Sequence, residues 1–183
     1  MNRLQPVIRA ATGAVLGLTF ACAGMLGGKE RLEATASKTL SEFSSSHVTH
    51  DELAQKAAGF LVFPHTSKRG GKVSTDDGEG VLMVGGRSVG VYRLTGGSVA
   101  TTPGVPEHSE VMLFMTAEAL RRFLAANRWT VGVDADVAFA TKAAGGDYNG
   151  ETLKKAIIAF AFSEQGFIAD ISLAGAQMSR MLA

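Results

Sequence analysis

The sequence predicts an α+β protein: a mainly antiparallel β-sheet or barrel-like core of short strands, with N-terminal helices and one central helix packed on it. Three observations carry this expectation. Beyond residue 59, apolar residues fall in short runs separated by Gly-rich turns. Before residue 59, and again over 117–127, they recur at spacings of three and four. No stretch repeats at a fixed period and no low-complexity tail follows, so the chain past Gly28 suits one domain of ordinary size.

The elements follow in order. Leu32, Ala36, Leu40 and Phe43 mark an amphipathic helix over 30–43, ended by Ser44-Ser45-Ser46. Thr49-His50-Asp51-Glu52 reads as a capping box that starts a second short helix, with Gly59 as its stop. Phe60-Leu61-Val62-Phe63 is a short apolar strand closed by Pro64, and residues 65–80 read as a polar, Gly-rich loop. Strands over 81–84 and 88–94 flank Gly85-Gly86 as a hairpin, and Gly96-Gly97 turns toward a strand over 98–102. Residues 103–106 form a loop, 110–115 a buried strand, and Thr116 caps a helix over 117–127. Strands over 129–133 and 137–141 come next, then a loop over 145–150. A hairpin pairs 156–162 with 167–173.

The start of the chain is of another kind. Arg3 and Arg9 are the only charges before Lys29, and the stretch between Arg9 and Lys29 is apolar, small or hydroxylated. A basic start followed by an apolar core is the pattern of an export signal, and this one is too poor in strong hydrophobes for a permanent anchor. Ala21-Cys22-Ala23 suits cleavage before Gly24. The alternative is lipid modification of Cys22, with Leu18 one place too early for a good lipoprotein box. The expected organisation is therefore 1–23 as signal peptide (or a lipoprotein signal ending before Cys22), 24–52 as a helical segment and 53–183 as the main domain. The protein is expected to be exported, and either periplasmic or membrane-anchored through Cys22.

Composition excludes several classes. Cys22 is the only cysteine, so the main domain holds no disulfide, thiol nucleophile or thiolate metal site. The chain has 18 basic and 17 acidic residues; without Arg3 and Arg9, 16 face 17. That near balance argues against a nucleic-acid binder.

Gly86-Arg87-Ser88-Val89-Gly90 matches the Gly-x-Ser-x-Gly elbow of serine hydrolases, with His108 and Asp134 or Asp136 as paper partners. The elbow requires a helix after the Ser, whereas the residues that follow alternate as a strand. His47 and His50 lack a clear third and fourth metal ligand. Asp76-Asp77-Gly78-Glu79 lacks the spacing of a calcium loop and reads as a solvated turn. Lys68-Arg69-Gly70-Gly71-Lys72 is the densest basic cluster, and its glycines allow close backbone approach to an anion such as a phosphate head group. Its competing reading is a surface loop whose charges pair with Asp76, Asp77 and Glu79.

From Leu53 to Arg180 the chain resembles the SYLF lipid-binding domain, in its bacterial exported branch. The likeness rests on Lys56–Pro64 (KAAGFLVFP), Gly78–Leu82 (GEGVL), Val111–Leu120 (VMLFMTAEAL), Trp129–Val137, and Ala159–Gly175 with its Phe-Ser-x-x-Gly-Phe-Ile-Ala turn. Two loops depart from the family pattern: Arg69–Asp77 is polar rather than aromatic, and Thr101–Pro106 replaces a Gln-x-Gly-Ala segment. The resemblance implies phospholipid binding without catalysis or cofactor, at the bacterial cell envelope, with Lys56, Lys68, Arg69 and Lys72 as head-group candidates. Two other readings stand beside it: an envelope module that binds another protein, and a hydrolase using Ser88.

Overall fold

The structure, a computed structural model, describes residues 20–69, 75–96, 107–140, 148–163, 166–168 and 173–181, without the side chains of 20–26, 68, 69, 75 and 76. Its centre is one nine-stranded sheet that curls into a half-barrel. In chain order the elements are α1 (Phe20–Ser46), α2 (Val48–Lys56), β1 (Gly59–Arg69), β2 (Thr75–Val84), β3 (Arg87–Gly96), β4 (Glu107–Phe114), α3 (Ala117–Ala125), β5 (Arg128–Thr130), β6 (Ala138–Phe139), a 3-10 turn (Thr152–Lys154), β7 (Ile157–Ser163), β8 (Gly166–Ile168) and β9 (Gln177–Arg180). The strands lie side by side in the order β5-β9-β3-β2-β1-β4-β7-β6, with β8 also on β7. All pairings are antiparallel except β6 with β7. The α+β expectation holds.

Both faces of the sheet are covered, which explains why its central strands read as unbroken apolar runs. Leu61, Phe63, Leu82, Met112 and Phe114 point to one face and meet Leu120 and Phe123 of α3 with Trp129. Val62, Val81, Val111, Leu113 and Phe160 point to the other and meet Ala36 and Phe43 of α1 and Leu53 of α2.

Several boundaries differ from expectation for identifiable reasons. The first helix is longer than 30–43 and runs over Phe20–Ser46, so Cys22 lies in its first turns. The cap of α2 is His47, not Thr49. Its backbone is extended, and its Nδ1 accepts the Thr49 N–H at 3.2 Å. Pro64 does not close β1: the strand runs on to Arg69, and its pairing with both neighbours slips around Pro64. A residue with no N–H is tolerated at such a bulge.

Residues 65–69 and 75–80, expected as loop, are the paired ends of β1 and β2. Asp76 and Asp77 are therefore strand residues rather than a turn, and Asp77 pairs with Arg93 across β2 and β3 at 3.6 Å. Gly80 permits this packing. A Cβ there would lie 2.4 Å from the Phe63 ring and 2.7 Å from the Val62 carbonyl oxygen. The central helix ends at Ala125 rather than Asn127. The expected strand over 98–102 lies outside the described residues. Strand β9 was not anticipated; it fills the gap between β3 and β5 and buries Met178. Among the described residues no helix is long and apolar enough to cross a membrane.

Candidate functional site

Register places a row of residues at one end of the half-barrel. Arg87 pairs with Val84, Gly59 with Phe114, and Phe114 with Ile157. With Phe60 opposite Met83, Val84 continues the row beside Gly59. Arg87 and Ile157 are thus four strand spacings apart, roughly 19 Å at about 4.8 Å per spacing. Two backbone bonds extend the row: the Ala58 N–H donates to the Phe114 carbonyl at 2.8 Å, and the Met115 N–H to that of Ala156 at 2.9 Å. Lys56 and Lys155 are thereby carried to the same end as Arg87. All three are exposed, and among the described residues none forms an ion pair. Lys154 is held by Glu151 at 2.7 Å.

Beside Lys155 a cleft of about 450 Å³ opens between α3, the start of β7 and residues 135–138. Trp129, Val137 and Ile157 supply apolar lining, and Thr116, Glu118, Arg122, Asp136 and Lys155 supply polar lining. Thr116 fixes the start of α3, since its Oγ1 accepts the Ala119 N–H at 3.1 Å. One turn on, Arg122 is tethered to Glu118 at 2.5 Å. An apolar floor with a rim of two acidic and two basic residues suits an amphipathic ligand.

The anticipated residues divide between the two ends of the sheet. Lys56 belongs to the row just described. Lys68 and Arg69 are the last residues of β1, opposite Asp76 and Thr75, about 30 Å from the Gly59 end at a strand rise near 3.3 Å per residue. Lys56 therefore cannot share one head group with Lys68 and Arg69. Lys72 lies outside the described residues, as does most of the 1–23 segment. Arg87, Arg122 and Lys155 were missed. Lys154-Lys155 directly before the apolar run of β7, and Arg87 directly after Gly85-Gly86, were the available signals.

The elbow reading of Ser88 does not survive. Gly85 and Gly86 have φ of 57° and 76°, the two-residue turn of a tight hairpin, and Ser88 is an exposed residue of β3 opposite Met83. The chain continues after it as strand to Gly96. His108 lies near the far end of β4 and is bonded to Glu110 at 2.8 Å, and Asp134 accepts the Thr130 N–H at 2.6 Å.

His47 and His50 likewise serve the fold. His47 caps α2. His50 is buried and stacks on Phe43 at 4.3 Å, with Nδ1 2.8 Å from Ser46 Oγ and Nε2 2.5 Å from the Tyr148 hydroxyl. Burial pushes the Tyr148 phenol above its ordinary pKa.

Comparison with known proteins bears on the second half of the chain. A family model described as "Ysc84: Las17-binding protein actin regulator" matches residues 95–181, which include every residue named in the cleft. No curated protein matches the chain.

Proposed function

We propose that the chain, whose residues 95–181 match the model of the Ysc84 (SYLF) family, is a non-catalytic phospholipid-binding protein of the bacterial cell envelope. In this reading the N-terminal segment exports it, and it remains periplasmic or is held at the membrane through Cys22. The observation that carries the reading is the end of the sheet where Lys56, Arg87 and Lys155 stand exposed, without an ion pair among the described residues, and where Lys155 also lines the apolar-floored cleft.

Each basic residue near an anionic surface is worth about 1 kcal/mol, so three support about a hundredfold in partitioning at low salt. Lys68, Arg69 and Lys72 form the competing contact at the opposite end of β1. Flotation of the protein with vesicles rich in anionic phospholipid separates the two. Charge reversal at Lys56, Arg87 and Lys155 is expected to abolish binding, and reversal at Lys68, Arg69 and Lys72 to leave most of it. Absence of flotation at low salt with any anionic lipid would sink the proposal. Mass spectrometry of the mature N-terminus tests localisation: a diacylglyceryl addition on Cys22 means a tether, and a start at Gly24 means soluble export.

The family description names a protein ligand, which favours a second reading: a module that docks another envelope protein. Cross-linking in envelope extracts, with vesicle binding already found absent, is the outcome that would select it.

A further inference from the structure

Four large apolar side chains are exposed among the described residues: Val48, Val89, Val133 and Met181. Val48 belongs to α2 and Val133 to the turn that follows β5. Val89 and Met181, by contrast, come together on the edge of β3, 38% and 36% exposed. Two hydrogen bonds hold them there. The Met181 N–H donates to the Val91 carbonyl at 2.8 Å, and Arg180 Nη2 donates to the Val89 carbonyl at 3.3 Å. Arg180 thus lies across Gly90, its Nε 3.5 Å from where a Cβ would stand. Arg87, two residues before Val89, is the corner of the basic row at the end of the half-barrel.

This edge is poorly built for another strand. Strand β9 pairs only with Tyr92–Thr95, so residues 87–91 carry no outer strand among the described residues. The β2–β3 pairing slips between Leu82 and Met83, however, and Arg180 already occupies the Val89 carbonyl. An irregular register and a charged side chain on the edge both oppose strand addition. What remains is an apolar pair flanked by two arginines. Arg87 and Arg180 are exposed, and neither forms an ion pair among the described residues. Guanidinium groups recognise phosphate, and apolar side chains beside them fit the layer just beneath it. That is the order of groups at a phospholipid surface.

We propose that this corner of the sheet inserts into a phospholipid membrane, with Val89 and Met181 entering the boundary between head groups and acyl chains and Arg87 and Arg180 holding the phosphates above them. The inference rests on the lipid-binding reading and deepens it. The basic row supplies an attraction that salt screens, and the apolar pair a contact that salt does not screen.

The test uses vesicles rich in anionic phospholipid and two variants. The chain has one tryptophan, Trp129, which is 3% exposed, so the wild type serves as the silent control for Val89→Trp. On vesicles at low salt the emission of Val89→Trp is expected to shift to the blue. Lipids brominated high on the acyl chain are expected to quench it several-fold more than the wild type. The double variant Val89→Ser with Met181→Ser alters two exposed side chains. It is expected to weaken vesicle binding about tenfold, the worth of roughly 55 Å² of apolar surface left in water. That loss should persist as salt rises, whereas the effect of reversing the row's charges should fade. Vesicle binding without shift or quenching, or unchanged affinity in the double serine variant, would overturn the insertion and leave the lipid-binding reading standing. No vesicle binding by the wild type at low salt would overturn both. Self-association of the wild type in sedimentation, lost in the double serine variant, would assign the edge to a second copy of the chain and overturn the insertion alone.

Discussion

His108→Leu is the most informative single change in the core. His108 and Glu110 stand two apart on β4 and so face the same side of the sheet, with side chains 0% and 3% exposed. His108 Nε2 lies 2.8 Å from Glu110 Oε1, while His108 Nδ1 and Glu110 Oε2 have no partner among the described residues. Among these residues each group is therefore held by the other alone. Leu at 108 leaves a buried carboxyl group with nothing to bond, which costs about 1–3 kcal/mol. With a urea dependence of about 2 kcal/mol per molar, the unfolding midpoint should fall by roughly 1 M. The double change His108→Leu with Glu110→Leu removes both polar groups and is expected to recover most of the loss, because well-packed apolar replacements of buried pairs are neutral or stabilising. Urea denaturation followed by circular dichroism reads all three proteins. A loss below about 1 kcal/mol in the single variant, or a double variant as unstable as the single, would refute the reasoning.

Three further outcomes follow from the same core. Gly80→Ala drives a methyl into the Phe63 ring and the Val62 carbonyl and should cost at least about 1–3 kcal/mol, read by the same denaturation; an unchanged midpoint would show that β1 yields freely. Tyr92→Phe removes a buried hydroxyl that has no partner among the described residues, and should be neutral or stabilise by up to about 1 kcal/mol; a clear loss would reveal a bond to that oxygen. Burial raises the pKa of Tyr92, with Arg180 opposing it in part, and of Tyr148, and these are the two tyrosines of the chain. The phenols favour the protonated folded state, so their contribution is full below the ordinary value near 10 and fades as pH rises through the higher folded values. Tyrosinate absorbance should therefore appear only above that ordinary value and together with loss of near-ultraviolet dichroism. A midpoint at the ordinary value in the folded protein would contradict it.

Much of this architecture was legible because its causes are local. Phe60–Phe63 is apolar at every position, and the structure buries both faces of that strand. Gly85-Gly86 demanded a turn, and Thr116 capped a helix whose Leu120 and Phe123 face inward. What escaped depended on partners distant in sequence. Residues 65–69 and 75–79 look like loop because they are polar; their strand state comes from the β1–β2 pairing and from glycines that let the backbones close. Pro64 misled because the bulge that accommodates it involves β2 and β4. His108 and Glu110 did carry a signal, two polar residues at strand spacing beside an apolar run, and it went unread. Lys56 was found from sequence, but Arg87 and Lys155 join it only through register across five strands.

That register also decides what can fold. Residues 95–181 contain α3 and β4 to β9, but in the sheet these are not neighbours throughout. Strands β5 and β9 reach the remainder only through β3, β2 and β1, since β9 pairs with β3 and β4 pairs with β1. A fragment starting at residue 95 would lose Leu61, Phe63, Leu82, Tyr92 and Leu94 from beneath α3 and leave β4 with an open edge. Leu120 and Phe123 would keep only Met112, Phe114, Trp129 and Ile157 of the β-strand side chains they pack with, and part of their surface would be exposed. Fully burying a large apolar side chain is worth about 1.5–3 kcal/mol, so losing five removes roughly 7.5–15 kcal/mol, as much as the roughly 5–15 kcal/mol that holds a typical domain together. The fragment should show no cooperative thermal transition, whereas a chain that begins before Leu53 and keeps β1 to β3 should. A sharp transition from the fragment alone would mean that β4 to β9 form a core independent of β1, and the domain start proposed at Leu53 would have to move.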